Sequence, residues 1–284
     1  MSIAEPHLIA LDLDGTVLDH GSFGAGDEPF SGYVDAELAE AIRALHEYGH
    51  QVVIATGRSV DATLPIVEKL RIRPEWVVAA NGAVTLRRDP LGPRGYRKEV
   101  VEAFDPSDAL VKIRTKLLTA RYAVELADGG FLYTDDIPSG TLPSQQRKVE
   151  FEELLGVQAS RVVVVSPDYE LEQFLSAVES LGLTHVSYSV GSASWLDIAP
   201  DGVTKASALE VVAERLGIDR SRVFAAGDGR NDIEMLRWAA KRGDSVAMGQ
   251  APPEVQAVAG RLTGTVEQVG LLAALRDRFT GIGL

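Results

Sequence analysis

The chain of 284 residues carries a formal net charge of −13, from 28 Lys and Arg against 41 Asp and Glu, which sets it against nucleic-acid backbones and anionic lipid surfaces. Its proportions of 45% hydrophobic and 24% charged residues are those of a folded globular protein, with length for two units that each bury a core. No apolar run approaches the roughly 20 residues that span a bilayer, no basic-then-apolar leader opens the chain, and with no cysteine there is no disulfide or thiolate metal site, so the expected location is the cytoplasm.

Short apolar runs alternate with helix-length amphipathic segments, a pattern that predicts an α/β fold with a Rossmann-like, doubly wound parallel sheet. The run LIALD at 8–12 ends in Asp12-Leu13-Asp14-Gly15-Thr16, and a helix is expected over 34–48. QVVIA at 51–55 ends in Thr56-Gly57-Arg58, a helix follows over 60–70, and WVVAA at 76–80 ends in Asn81-Gly82. The rhythm then changes between about 83 and 193. Turn-rich pieces (RRDPLGPRG, ADGG, DDIPSGTLPS) separate strand candidates YAVEL, FLYT, RVVVV and THVSYSV, with helices near 108–118 and 169–181. After this the first rhythm returns: a helix over 204–216, the run RVFAA ending in Gly227-Asp228-Gly229, and a helix over 231–240. The expected organisation is a discontinuous core, 1–83 with 193–284, interrupted by an inserted α+β domain over 84–192. In open α/β sheets the ligand crevice lies beyond the carboxyl ends of the strands, so these turns can converge although they are distant in sequence.

Each turn carries chemistry and also has a plainer explanation. Asp12 and Asp14, two apart at a strand end, can present carboxylates or a carboxylate and a carbonyl to one cation; Asp-x-Asp-Gly is also ordinary turn chemistry. Asp228, Asn231 and Asp232 form a second polar cluster that doubles as a helix cap. Thr56-Gly57-Arg58 offers a hydroxyl and free N–H groups to an anion, although Arg58 reads equally as solvated. Lys205 in the first turn of a helix opposes the helix dipole unless an anion is near, and alone reads as a surface lysine.

Together, Asp12-Leu-Asp14-Gly-Thr16-Val-Leu, Thr56-Gly57-Arg58, Asn81-Gly-Ala, Gly202-Val-Thr-Lys205 and Gly227-Asp228-Gly-Arg-Asn231-Asp232 resemble the ordered motifs of the haloacid dehalogenase superfamily. Val246-Ala-Met-Gly249 resembles a further element of its Cof-type subgroup, whose members carry a large cap inserted between the second and third motifs, and the resemblance covers nearly the whole chain. It implies a magnesium-dependent phosphatase acting on a small phosphate ester, a sugar phosphate foremost, either as a monomer or as a weak homodimer. Asp12 would be the nucleophile and Asp14 the general acid and base, while Thr56, Gly57, Lys205, Asn231 and Asn81 would bind phosphate or substrate. Asp12, the backbone carbonyl of Asp14 and Asp228 would hold Mg2+, with Asp232 orienting Lys205 or a metal-bound water and Thr16 bracing the loop.

Within the insert, Glu125, Asp128, Asp135, Asp136, Arg147 and Lys148 are polar candidates with no assigned role. The stretch from His20 to Gly32 is longer than the subgroup's usual loop and reads as a surface segment, and Gln250 stands where the subgroup usually has Asn. His46 and His50, four apart, lack an accompanying carboxylate motif and read as exposed. The rival readings are a phosphomutase using the same residues, a metal-dependent glycosyltransferase that would leave Thr56, Lys205 and Asp228 without purpose, and a metabolite-sensing binding module, for which loss of Asp12 or Asp14 would be the mark.

Overall fold

The computed structural model describes residues 5–19, 32–135, 137, 146–190 and 194–284. The His20 loop over 20–31 and Asp136 lie outside the described residues, so the expectations placed on them are not developed further.

The first run is strand β1 (Leu8–Leu11), buried along its whole length, with Leu8 and Ala10 in one apolar cluster and Ile9 and Leu11 in another. An unbroken apolar run is what a strand covered on both faces requires. Helix α1 (Ala36–Tyr48) is capped by the Asp35 carboxylate, which accepts from Leu38 N–H at 3.0 Å, and it ends at Gly49 in the left-handed region (φ 104°). Its buried residues Leu38, Ala41, Ile42 and Leu45 follow helical spacing and pack against the sheet. Strand β2 (Gln51–Ala55), helix α2 (Val60–Lys69) and strand β3 (Trp76–Ala79) follow as expected. The next strands are β4 (Val84–Arg88) and β5 (Tyr96–Val101).

After Val101 the chain builds a second sheet: α3 (Ser107–Lys116), β6 (Arg121–Leu126), β7 (Phe131–Tyr133), β8 (Gln146–Lys148), β9 (Ala159–Val165), α4 (Leu171–Ser180), β10 (Val186–Val190) and β11 (Trp195–Pro200). The order is β10-β11-β9-β6-β7-β8. Tyr122, Val124, Val162, Val164, Leu196 and Ile198 share one face of this sheet with Leu110 and Ile113 of α3 and Phe174 and Val178 of α4. The chain then returns through α5 (Lys205–Leu216), β12 (Val223–Gly227), α6 (Ile233–Ala240), β13 (Asp244–Ala247), α7 (Pro253–Gln256), β14 (Arg261–Leu262) and α8 (Gly270–Arg278). The larger sheet has the order β14-β13-β12-β1-β2-β3-β4-β5, parallel from β14 to β3 and antiparallel beyond.

The ladders move both boundaries expected for the insert. Val84, Thr85 and Leu86 are buried and pair with Ala79, Val78 and Val77, so β4 and β5 extend the larger sheet and RRDPLGPRG is the hairpin between them. Trp195–Pro200, expected in the core, pairs antiparallel with β9 and β10 in the smaller sheet, where Leu196 and Ile198 are buried. Turn-rich sequence marks a hairpin and a domain linker alike, which is why the change of rhythm was a poor guide to where the sheet ends. Among the described residues no helix is long and apolar enough to cross a membrane.

His50, expected at the surface, is buried instead. Its Nδ1 accepts the His7 N–H at 3.1 Å, and its ring lies 5.1 Å from Phe279 and 5.3 Å from His7. Burial first, then the His7 and Arg278 charges, push its pKa down from 6.5 to about 4. A depressed folded-state pKa gives stability that is complete above pH 6.5 and lost as pH falls towards 4. Scanning calorimetry across that window is expected to show a shallower fall in Tm for His50→Phe than for the wild type, and parallel curves would rule out this histidine as a contributor.

Candidate active site

Because β12, β1, β2 and β3 are parallel neighbours, the turns at their carboxyl ends stand side by side in that order, carrying Asp228, Asp12, Thr56 and Asn81. Adjacent strands lie about 4.8 Å apart, so four turns span a crevice of molecular width. The Asp12 N–H still donates to the Ala226 carbonyl at 3.1 Å, after which the chain wraps tightly: Val17 and Leu18 N–H both bond the Leu13 carbonyl, at 2.9 and 2.7 Å. Gly15 adopts φ +76°, and a Cβ there would lie 2.1 Å from Asp228 Oδ2. Only glycine combines that conformation with that approach of a carboxylate.

Lys205, the first residue of α5, is fully buried rather than solvated. Its Nζ bonds Asp12 Oδ1 at 2.6 Å and Asp232 Oδ1 at 2.7 Å. The other oxygen of Asp232 accepts the Asp228 and Gly229 N–H groups at 3.0 and 2.9 Å, so this carboxylate holds both the lysine and the loop that carries Asp228. Burial alone would lower the Lys205 pKa, but Asp12 and Asp232 outweigh it and hold the ammonium above its ordinary range. Burial, then Asp232, push the Asp12 carboxyl well above its usual range against the pull of Lys205. Burial and then Asp232 also push Asp228 up to about 7.

Asp12, Asp228 and Asp232 each offer an oxygen within 4.8 Å of the others, and one ammonium faces the three carboxylates. The surplus of negative charge and the all-oxygen donor set fit a hard divalent cation. With both Asp232 oxygens engaged, Asp12 and Asp228 are the carboxylates of the trio better placed to hold it.

The neighbouring turns supply polar groups. Thr56 is buried and its Oγ1 accepts the Arg58 N–H at 3.1 Å, which leaves its own proton to donate. Asn81, at φ 54°, bonds its N–H to the Thr56 carbonyl at 3.0 Å, and its Oδ1 accepts from Asn231 Nδ2 at 2.9 Å. Gly57 sits beneath this amide pair, where a Cβ would lie 3.0 Å from Asn81 Oδ1 and 3.3 Å from Asn231 Nδ2.

Two expectations need amending. The Thr16 hydroxyl is buried without a hydrogen-bond partner among the described residues, so backbone bonds, not this side chain, brace the loop. Arg58 is not simply solvated: its Nε reaches Asp14 Oδ2 at 2.8 Å and its terminal nitrogen reaches Oδ1 at 2.5 Å. The motif containing Arg58 was visible in the sequence, but its target, 44 residues away, was not. Of the unassigned polar residues, Arg147 and Lys148 pair with Glu153 and Asp135 at the surface. Glu125 is buried, and its pKa is pushed up by that burial to about 7.

The pattern of the haloacid dehalogenase-like hydrolases matches residues 9–275. The chain belongs to that family. Among curated proteins it is 25% identical over 289 residues to the 5-amino-6-(5-phospho-D-ribitylamino)uracil phosphatase YitU of Bacillus subtilis (strain 168), covering 97% of this chain and 98% of that one. Among solved structures it shares its fold with the HAD subclass IIB sugar phosphatase BT4131, at TM-score 0.75 and 20% identity, covering 97% of this chain and 100% of that one. A haloacid dehalogenase-like hydrolase from B. subtilis gives TM-score 0.76 at 22% identity, covering 95% and 99%. The expected class, a hydrolase of phosphoric monoesters, is borne out by the family and its phosphatase members.

In this hydrolase, Asp232→Ala would strand a buried ammonium with one partner and orphan two N–H groups. Removing one partner of a buried ion pair costs about 3–5 kcal/mol. Urea unfolding is expected to show a loss of that size, and a change below about 1 kcal/mol, the scale of a surface pair, would contradict the role given to Asp232.

Proposed function

We propose that this hydrolase is a magnesium-dependent phosphatase that transfers the phosphoryl group of a small metabolite, a sugar phosphate foremost, to Asp12 and then to water. The observation that carries the reading is the contact of Lys205 with Asp12 and Asp232 beside Asp228, with Thr56 on the adjoining strand. The names of YitU and BT4131, a phosphatase of a phosphoribityl compound and a sugar phosphatase, support the same class of substrate.

Asp12 attacks phosphorus in line, and the bond to the ester oxygen breaks as the bond to the carboxylate forms. Asp14 gives its proton to the departing alkoxide. In the second half-reaction water attacks the same phosphorus, Asp14 takes the water's proton, and the acyl-phosphate bond breaks to return Asp12 and inorganic phosphate. Asp14 leaves its pair with Arg58 to carry that proton. Thr56 donates its hydroxyl proton to a phosphoryl oxygen, and Lys205 supplies positive charge beside the nucleophile. Asp12, the Asp14 carbonyl and Asp228 would hold Mg2+, which when bound offsets the repulsion between carboxylate and phosphate.

The segment carrying the smaller sheet would act as a lid and choose the leaving group. A cavity of about 380 Å³ supports this, since Asn81, Asn231 and Lys205 form one wall and Ser187, Asp197 and Ala199 of the smaller sheet another.

The test is a panel of phosphate esters (hexose and pentitol phosphates, nucleotides, flavin mononucleotide, pyridoxal phosphate) assayed for released phosphate with and without Mg2+. Turnover is expected only with metal, and Asp12→Asn is expected to reduce it by on the order of 10³-fold or more, as for other nucleophile deletions. Equal turnover by the variant would remove Asp12 as the nucleophile.

A further inference from the structure

Gln250 reaches back across the crevice from the turn after β13. Its Nε2 donates to the Gly15 carbonyl at 2.6 Å and to Asp228 Oδ2 at 3.2 Å, and its Oε1 accepts the Val266 N–H at 3.1 Å. An amide nitrogen has two hydrogens and here meets two acceptors. The Val266 N–H can only donate and the Gly15 carbonyl can only accept, so a single orientation of the amide satisfies all three bonds. One side chain thereby joins the turn that carries Asp12 and Asp14 to the carboxylate on the neighbouring strand, 235 positions separating Gln250 from Gly15. It does so at the point where Gly15, lacking a Cβ, makes room for Asp228.

We infer that Gln250 is a positioning residue for the cation site: it restrains the Asp228 carboxylate against rotation and fixes its distance from the Asp12 turn. This rests on the reading of the acidic cluster as a divalent cation site. A carboxylate ligand held by a hydrogen bond from outside the coordination sphere keeps its orientation when the metal leaves, and removing such a partner typically weakens metal affinity about 10–100-fold.

A second amide in the same loop provides the control. Gln256 Nε2 donates to the Gly249 and Ala251 carbonyls at 3.2 and 2.8 Å, which braces the loop around Gln250 without any bond to Asp228. Loop rigidity alone would make the two glutamines equivalent, whereas carboxylate positioning sets Gln250 apart.

The experiment titrates Mn2+ into metal-free protein and reads free Mn2+ by electron paramagnetic resonance, for the wild type, Gln250→Met and Gln256→Met, with the thermal midpoint of each metal-free protein measured alongside. Methionine keeps the length of the side chain and removes the amide. The expected result is a Kd raised about 10–100-fold in Gln250→Met, with little change in Gln256→Met and with metal-free midpoints close to wild type. If wild type and Gln250→Met bind Mn2+ alike, the positioning role is wrong while the cation site stands. If both glutamine variants weaken binding equally, loop bracing is the cause and the inference falls. If the wild type itself binds no Mn2+, the cation site fails and takes the inference with it.

Discussion

One buried ammonium between carboxylates is the interaction on which the rest of the site depends. Lys205 satisfies Asp12 on one side and Asp232 on the other, and Asp232 in turn receives the two N–H groups that shape the Asp228 loop. Burying charge is costly unless it is paired and hydrogen-bonded. Here the lysine is paired with two of the acids, and the charges do not balance, since three carboxylates cluster around a single positive group. Burial first, and then the neighbouring Asp232 charge, hold the pKa values of Asp12 and Asp228 above the usual carboxylate range. The surplus of negative charge and the all-oxygen donor set of these three carboxylates fit a hard divalent cation.

The sheet makes this arrangement possible. Parallel strands deliver their carboxyl ends to one edge, and the order β12-β1-β2-β3 puts the Asp228 carboxylate, the Asp12 carboxylate, the Thr56 hydroxyl and the Asn81 amide in adjacent positions. Close approach is secured by missing side-chain atoms: a Cβ on Gly15 would strike Asp228, and one on Gly227 would lie 2.4 Å from Asp232 Cγ.

Much of this was legible in the sequence because it lives at strand ends. Apolar runs that stop at Asp12, Thr56, Asn81 and Asp228 announce both the strand and its polar tip, and the helix spacing around α1 and α5 is ordinary amphipathic periodicity. What escaped depends on partners that periodicity does not encode. The β4–β5 hairpin looked like the start of the insert because a proline- and glycine-rich turn has the same composition in either setting. His50 looked exposed because, apart from the nearby Tyr48, the rings that cover it are those of His7 and Phe279, which lie far from it in sequence. Arg58 and Gln250 carried no local sign of the carboxylates they reach, since a long side chain's target is decided by tertiary packing.

The pairing of β1 with β12, Leu8 opposite Val223, has a consequence for folding. Asp12 and Lys205 meet across 193 positions, and contacts of such separation carry a loop-closure cost that slows their formation. The cluster therefore assembles together with the larger sheet and not ahead of it, and opening of the β1–β12 ladder separates Asp12 from Asp228.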